Sequence, residues 1–160
     1  AGEGGELPEL EPMPAETSRP STPHQRGQEL LERGEYAAAL PYLEKARQGQ
    51  PSDPDVLSDL GWASWMLQGS DGGTGPDDPE DYIRLALTFD NRNRRALEYL
   101  ARIAMAGEDG ELQQKRLKDF LRVAPDEEWA REALKSVMFT RKDTTESNRG
   151  LRFWRKGSSH

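Results

Sequence analysis

The chain has no cysteine and only two histidines, one of them its last residue. Without thiols there is no disulfide framework and no thiolate metal site, and a reducing compartment is permitted. A single internal histidine builds no metal cluster. Long apolar runs are missing as well. None approaches the ~20 residues of a membrane span, and no signal peptide is visible. Positive charge is in short supply, with 22 Lys and Arg against 29 Asp and Glu for a net charge of −7. That balance argues against a general nucleic-acid binder. Hydrophobic residues make up only 34% while 32% are charged, low for one compact core but ordinary for a solenoid with a large surface.

Patterns for catalysis are lacking too. Gly72-Gly73-Thr74-Gly75 follows a helical stretch rather than a strand, with no Gly-Lys-Ser after it, so it is no phosphate loop. The acidic residues Asp71, Asp77, Asp78, Glu80 and Asp81 lack the alternating register and terminal glutamate of an EF-hand. No nucleophile has an evident base. A protein with no catalysis, no cofactor and no metal is expected.

What is present is helical periodicity. From Gly27 to Pro51 the chain reads as two short amphipathic helices joined by a tight turn. Leu30 and Leu31 lie on the first; Tyr36, Ala39, Leu40, Leu43 and Ala46 follow helical spacing on the second. Gly34 stands where a left-handed residue ends a helix cheaply. Gly27 and Ala39 are expected to face each other across the hairpin, with Leu43 and Ala46 turned toward the next unit.

Gly27, Ala39, Leu43, Ala46 and Pro51 resemble the tetratricopeptide repeat, a helix-turn-helix unit of ~34 residues. One hairpin cannot bury its own apolar face, so neighbours are implied. Aligning Gly61 with Gly27 starts a second unit at Asp53-Pro54, with Asp53 as helix cap. Its second helix, near Asp81–Asn91, comes about six residues late after a glycine-rich insertion, which is expected to be mobile. Aligning Ala101 gives a third unit that closes on Pro125, with Phe120 and Gln113 at the positions of Ala46 and Ala39. Helix packing in the second and third units is expected to be looser or wider. Trp129, Ala133, Leu134, Val137 and Met138 then form a polar-backed capping helix.

The expected fold is all-α: a right-handed α-α superhelix, a tetratricopeptide-repeat solenoid of helical hairpins with a carboxyl-terminal capping helix. Residues 1–20 read as a disordered, acidic, proline-rich linker from an upstream domain. The repeat domain covers 21–140, with units of about 20–53, 54–93 and 94–127 and a cap at 128–140. Residues 141–156 read as a flexible basic tail, and 157–160 as an expression-tag remnant. The chain begins without methionine, which fits a fragment or a processed form.

The resemblance implies a concave groove lined by the first helix of each unit, where the family usually binds extended peptides or partner helices. Carrying the aligned positions over places His24, Gln28, Leu31, Asp55, Ser58 and Trp62 there, with Trp65, Met66, Arg95, Glu98, Arg102 and Met105. Trp62, Trp65, Met66 and Met105 would form an apolar centre flanked by Arg95 and Arg102, for a ligand with large apolar residues and an acidic group. The chain's own Leu7-Pro8-Glu9-Leu10 fits that description, so self-association through the amino-terminal segment is one expectation. Chaperone-binding members hold a terminal carboxylate with a clamp of lysine, asparagine, asparagine, lysine and arginine. The matching positions here are His24, Gln28, Asp59, Arg95 and Tyr99. Only Arg95 keeps its charge, and Asp59 would repel a carboxylate, which argues against a chaperone-tail adaptor.

The expected function is a non-catalytic, cytoplasmic protein–protein interaction module within a larger regulatory or assembly chain, with a protein or peptide partner and no nucleic acid. The competing reading is a membrane-proximal assembly scaffold or secretion-type chaperone. It would use Leu151, Phe153 and Trp154 among Arg149, Arg152, Arg155 and Lys156.

Overall fold

The computed structural model describes the backbone of residues 20–71 and 78–157, and the side chains of 20–68 and 78–146. The acidic amino-terminal segment, the centre of the glycine-rich insertion, the aromatic side chains of 151–154 and the last three residues lie outside the described residues. Seven helices follow one another among those described: α1 (Pro23–Glu32), α2 (Tyr36–Gly49), α3 (Pro54–Asp71), α4 (Pro79–Phe89), α5 (Arg94–Ala106), α6 (Gly110–Val123) and α7 (Glu128–Gly157). They form three hairpins and a final helix, the architecture of a tetratricopeptide-repeat solenoid.

Local chemistry sets the helix ends. Thr22 accepts from the Gln25 backbone N–H while the Gln25 side chain accepts from that of Thr22, a reciprocal capping box. At the other end Gly34 has φ of 75°. The Gly34 N–H reaches Leu31 and the Glu35 N–H reaches Leu30, the paired bonds of a Schellman turn. Asp53 caps α3 through the N–H groups of Asp55 and Val56, Asp78 caps α4 and Asp109 caps α6.

The turn between units has one geometry used three times. At Gln50, Asp90 and Ala124 the N–H closes the preceding helix on Ala46, Ala86 and Phe120. Three residues later Asp53, Asn93 and Glu127 bond back to these same residues, and their own carbonyls accept the first bond of the next helix. The recurrence makes the second unit roughly six residues longer than the third, as the insertion requires.

Each junction between units carries its own apolar cluster. Leu30, Ala39, Leu43, Leu60 and Ala63 join α1, α2 and α3. Leu57, Ile83, Ala86, Ala96, Leu100 and Ile103 join α3, α4 and α5. Leu97, Ala101, Leu117, Phe120, Ala124, Ala130 and Val137 join α5, α6 and α7. A core divided in this way is how a solenoid buries apolar surface with a low hydrophobic content.

Three expectations are corrected. The close approach in the first hairpin is between Gly27 and Leu43: a Cβ on Gly27 would lie 2.6 Å from Leu43 Cδ2. Leu43 therefore packs within its own hairpin as well as toward α3. In the third unit Phe120, at the position of Ala46, is fully buried and stacks on Trp129 of α7, centroids 5.6 Å apart. Finally, α7 does not stop near 140 but continues to Gly157. No proline interrupts it, and Arg141 fastens it to α6 through Gln114 and Glu111. Met138, expected on the packed face, is exposed.

Candidate functional site

The inner helices α1, α3 and α5 flank an open cavity of about 650 Å³. Gln28, Leu31 and Glu32 come from α1, Asp55 and Asp59 from α3, and Arg94, Arg95, Glu98 and Tyr99 from α5. Asp90 and Asn93, from the turn before α5, complete the wall. The contributions of each helix are spaced three or four residues apart, so they form one stripe along it.

At the base of the cavity is Asp59, whose carboxylate is fully buried. Arg95 Nη1 donates to its Oδ2 at 2.5 Å, His24 Nε2 reaches the same oxygen at 2.9 Å, and the Tyr99 hydroxyl donates to Oδ1 at 2.9 Å. The His24 bond requires the proton on Nε2. With its oxygen turned toward these donors, the Gln28 amide accepts from Arg95 at 2.5 Å and from His24 at 3.2 Å. A buried charge is tolerable only when paired and hydrogen-bonded, and this one has three donors. Burial and the Asp59 charge push the Tyr99 phenol well above the ordinary tyrosine range. Burial pulls the Arg95 guanidinium down, but the charge and hydrogen bond of Asp59 outweigh it and hold the group above its ordinary value.

Those five residues are the ones that match the carboxylate clamp, and here they close on themselves. The obstacle to an external carboxylate is occupancy: a carboxylate of the chain already sits among the donors. Asn93 adds a second tie, capping α5 through Ala96 N–H while its amide donates to Asp55 at 2.8 Å.

The residues expected in the groove divide into groups. Gln28, Leu31, Asp55, Arg95 and Glu98 line the cavity, and His24 joins them through Asp59. Ser58 does not: it is fully buried, and its hydroxyl donates to the Pro54 carbonyl at 2.6 Å. Trp62 stacks between Tyr99, at 4.8 Å and 3°, and Trp65, at 5.4 Å and 17°. Both indoles pack on the second core cluster, so they brace α3 against α5 and leave the cavity wall to others. Met66 is half-buried and is not part of the wall. Arg102 pairs with Glu98 and lies 4.3 Å over the Trp129 ring. Met105 packs on the third cluster and borders a separate cavity beside α7. Trp62 and Trp65 thus gather, half-buried, beside Tyr99, while Met105 lies on a different cluster, so Trp62, Trp65, Met66 and Met105 do not form one centre.

Of the wall residues, Glu32, Asp90, Asn93 and Arg94 were not foreseen, and Asp59 and Tyr99 were placed only as clamp positions. Spacing could have found three of them: Glu32, Asp59 and Tyr99 lie four residues after Gln28, Asp55 and Arg95. Among the described residues no three His, Cys, Asp or Glu side chains gather as a metal site. Among them, too, no helix is long and apolar enough to cross a membrane.

The solved structures place this architecture among known folds. The chain is similar to the first tetratricopeptide-repeat domain of human RPAP3, with a TM-score of 0.63 and 17% identity over 79% of this chain and 94% of that one. It is similarly related to the first such domain of Spaghetti (RPAP3), a structure bound to the HSP90 peptide SRMEEVD. There the TM-score is 0.62 at 17% identity, covering 74% of this chain and 91% of the other. The fold is a tetratricopeptide-repeat fold. No family model matches the chain, and comparison with curated proteins finds no match.

Proposed function

We propose that the protein is a non-catalytic interaction module that holds an extended segment of a partner protein against α1, α3 and α5. The observation that carries this reading is the cavity of about 650 Å³, walled by equivalent stripes of three successive inner helices. An extended peptide presents side chains at regular intervals, and a repeating wall meets them at regular intervals. The similar Spaghetti domain is bound to a peptide, which supports a peptide as the class of ligand.

The test replaces Leu31, a half-buried residue of the wall, by tryptophan to fill the cavity. Partners captured by the intact chain and identified by mass spectrometry are expected to be lost from Leu31→Trp, with helicity by circular dichroism unchanged. Retention of those partners by a folded Leu31→Trp protein refutes the groove reading. A role as an assembly scaffold through the basic segment predicts a different result: deletion after Arg149 removes binding that Leu31→Trp leaves alone.

A further inference from the structure

The guanidinium groups that pointed to an acidic ligand are both committed. Arg95 is taken by Asp59, and Arg102 by Glu98 and the Trp129 ring. Arg94, the other cation of the wall, pairs with Glu127 in the turn before α7. The carboxylates are not balanced in the same way. Glu32, Asp55 and Asp90 all line the cavity, and none has a cationic partner within ion-pair distance among the described residues. Asp55 accepts only from the neutral Asn93 amide, and Asp90 from the Arg92 backbone N–H. Glu98 faces the same space, its charge shared with a single exposed arginine. An anion entering the groove meets three carboxylates outside any ion pair, and every arginine of the wall already engaged. A cation meets carboxylates whose hydrogen-bonding capacity is only partly spent, in a wall that also holds Leu31 and Tyr99.

From this we infer that the groove, taken as the peptide site proposed above, selects a positively charged extended segment, with lysine or arginine spaced among large apolar residues. Glu32 and Asp90 stand at the ends of α1 and α4, Asp55 in the first turn of α3 and Glu98 in the middle of α5. Asp59 contributes by removing the one anion-binding position the wall would otherwise present. The acidic Leu7–Leu10 stretch is repelled on this account. The basic residues 149–156 of the same sequence have the right chemistry.

A random heptapeptide library displayed on phage and selected on the immobilised full chain at low salt tests this. The best clone is then titrated as a fluorescein-labelled peptide by anisotropy. The expected selection is rich in Lys and Arg and poor in Asp and Glu, and the affinity falls as salt rises. Glu32→Gln and Asp90→Asn keep side-chain shape, and the second substitution retains an oxygen able to accept from the Arg92 N–H. Each is expected to weaken binding by about two- to fivefold, and Leu31→Trp to abolish it. Synthetic peptide 149–156 is expected to displace the labelled peptide and peptide 7–13 to leave it bound; the reverse order overturns the inference. Acidic or neutral peptides lost on Leu31→Trp would overturn the ligand class and leave the groove reading standing. No enrichment, or basic peptides indifferent to all three substitutions, overturns both.

Discussion

Replacing Asp59 by alanine removes the centre of the inner face. The side chain is fully buried and accepts from Arg95, His24 and Tyr99. Its loss strands an arginine, an imidazole N–H and a phenol at one point. Breaking a buried pair by removing one partner costs about 3–5 kcal/mol. Water can reach part of this site, since the Arg95 and His24 side chains are 35% and 18% exposed. Rehydration of the guanidinium brings the expected loss to about 2–4 kcal/mol. For a domain of this size that lowers Tm by roughly 6–14 °C. Asp59→Asn is expected to recover only part of the loss: its oxygen can face Arg95 and His24 and its N–H groups the Tyr99 oxygen, but Arg95 is left without its counter-charge. Removing both charges with Asp59→Ala and Arg95→Leu is expected to cost less than the sum of the singles, by about 1–3 kcal/mol. Thermal and urea unfolding, followed by helicity at 222 nm, measure all four proteins of the cycle. A Tm drop under about 2 °C for Asp59→Ala, with no coupling to Arg95, would refute the argument that these groups form one closed network.

Other consequences are equally open to measurement. The intact chain is expected not to bind a peptide such as SRMEEVD through its terminal carboxylate. Asp59→Ala, which exposes Arg95, His24 and Tyr99, is expected to gain detectable affinity by calorimetry; equal binding by both proteins contradicts the plugged clamp. Because burial holds the Tyr99 phenol up, the native state keeps a proton that the unfolded chain releases near pH 10. Stability is therefore level below about pH 10 and falls above it by up to about 1.4 kcal/mol per pH unit. Tyr99→Phe loses that slope if the assignment is right, as urea midpoints at pH 9 and pH 11 will show. A Cβ on Gly61 would lie 2.6 Å from Ile83 Cγ1 and 2.7 Å from the Pro79 carbonyl oxygen. Gly61→Ala is expected to cost about 1–3 kcal/mol, and more than Gly27→Ala, whose obstruction is the movable end of Leu43. The order of the two melting temperatures checks it.

The parts of this molecule legible in the sequence are those made by neighbours along the chain. Asp53 and Pro54 announce the start of α3, Gly34 the end of α1, and the spacing of Ala39, Leu43 and Ala46 the packed face of α2. Each depends on bonds or side-chain rows spanning a single helical turn, so local residue identity suffices. The repeat itself followed from Gly27 and Gly61 recurring where the facing helix leaves no room for a side chain. The character of the groove was a different matter. Asp59 lies 35 residues from His24, 36 from Arg95 and 40 from Tyr99. Only the stacking of α1, α3 and α5 decides that these four meet, and their meeting turns an apparent row of free arginines into an acidic wall. The tryptophans tell the same story, since no spacing within α3 reveals that Trp62 lies flat on Tyr99 of α5. Charge and aromatic area are properties the sequence states, but whether they face a ligand or each other depends on which helix comes to lie alongside, and that is settled by packing over the whole array.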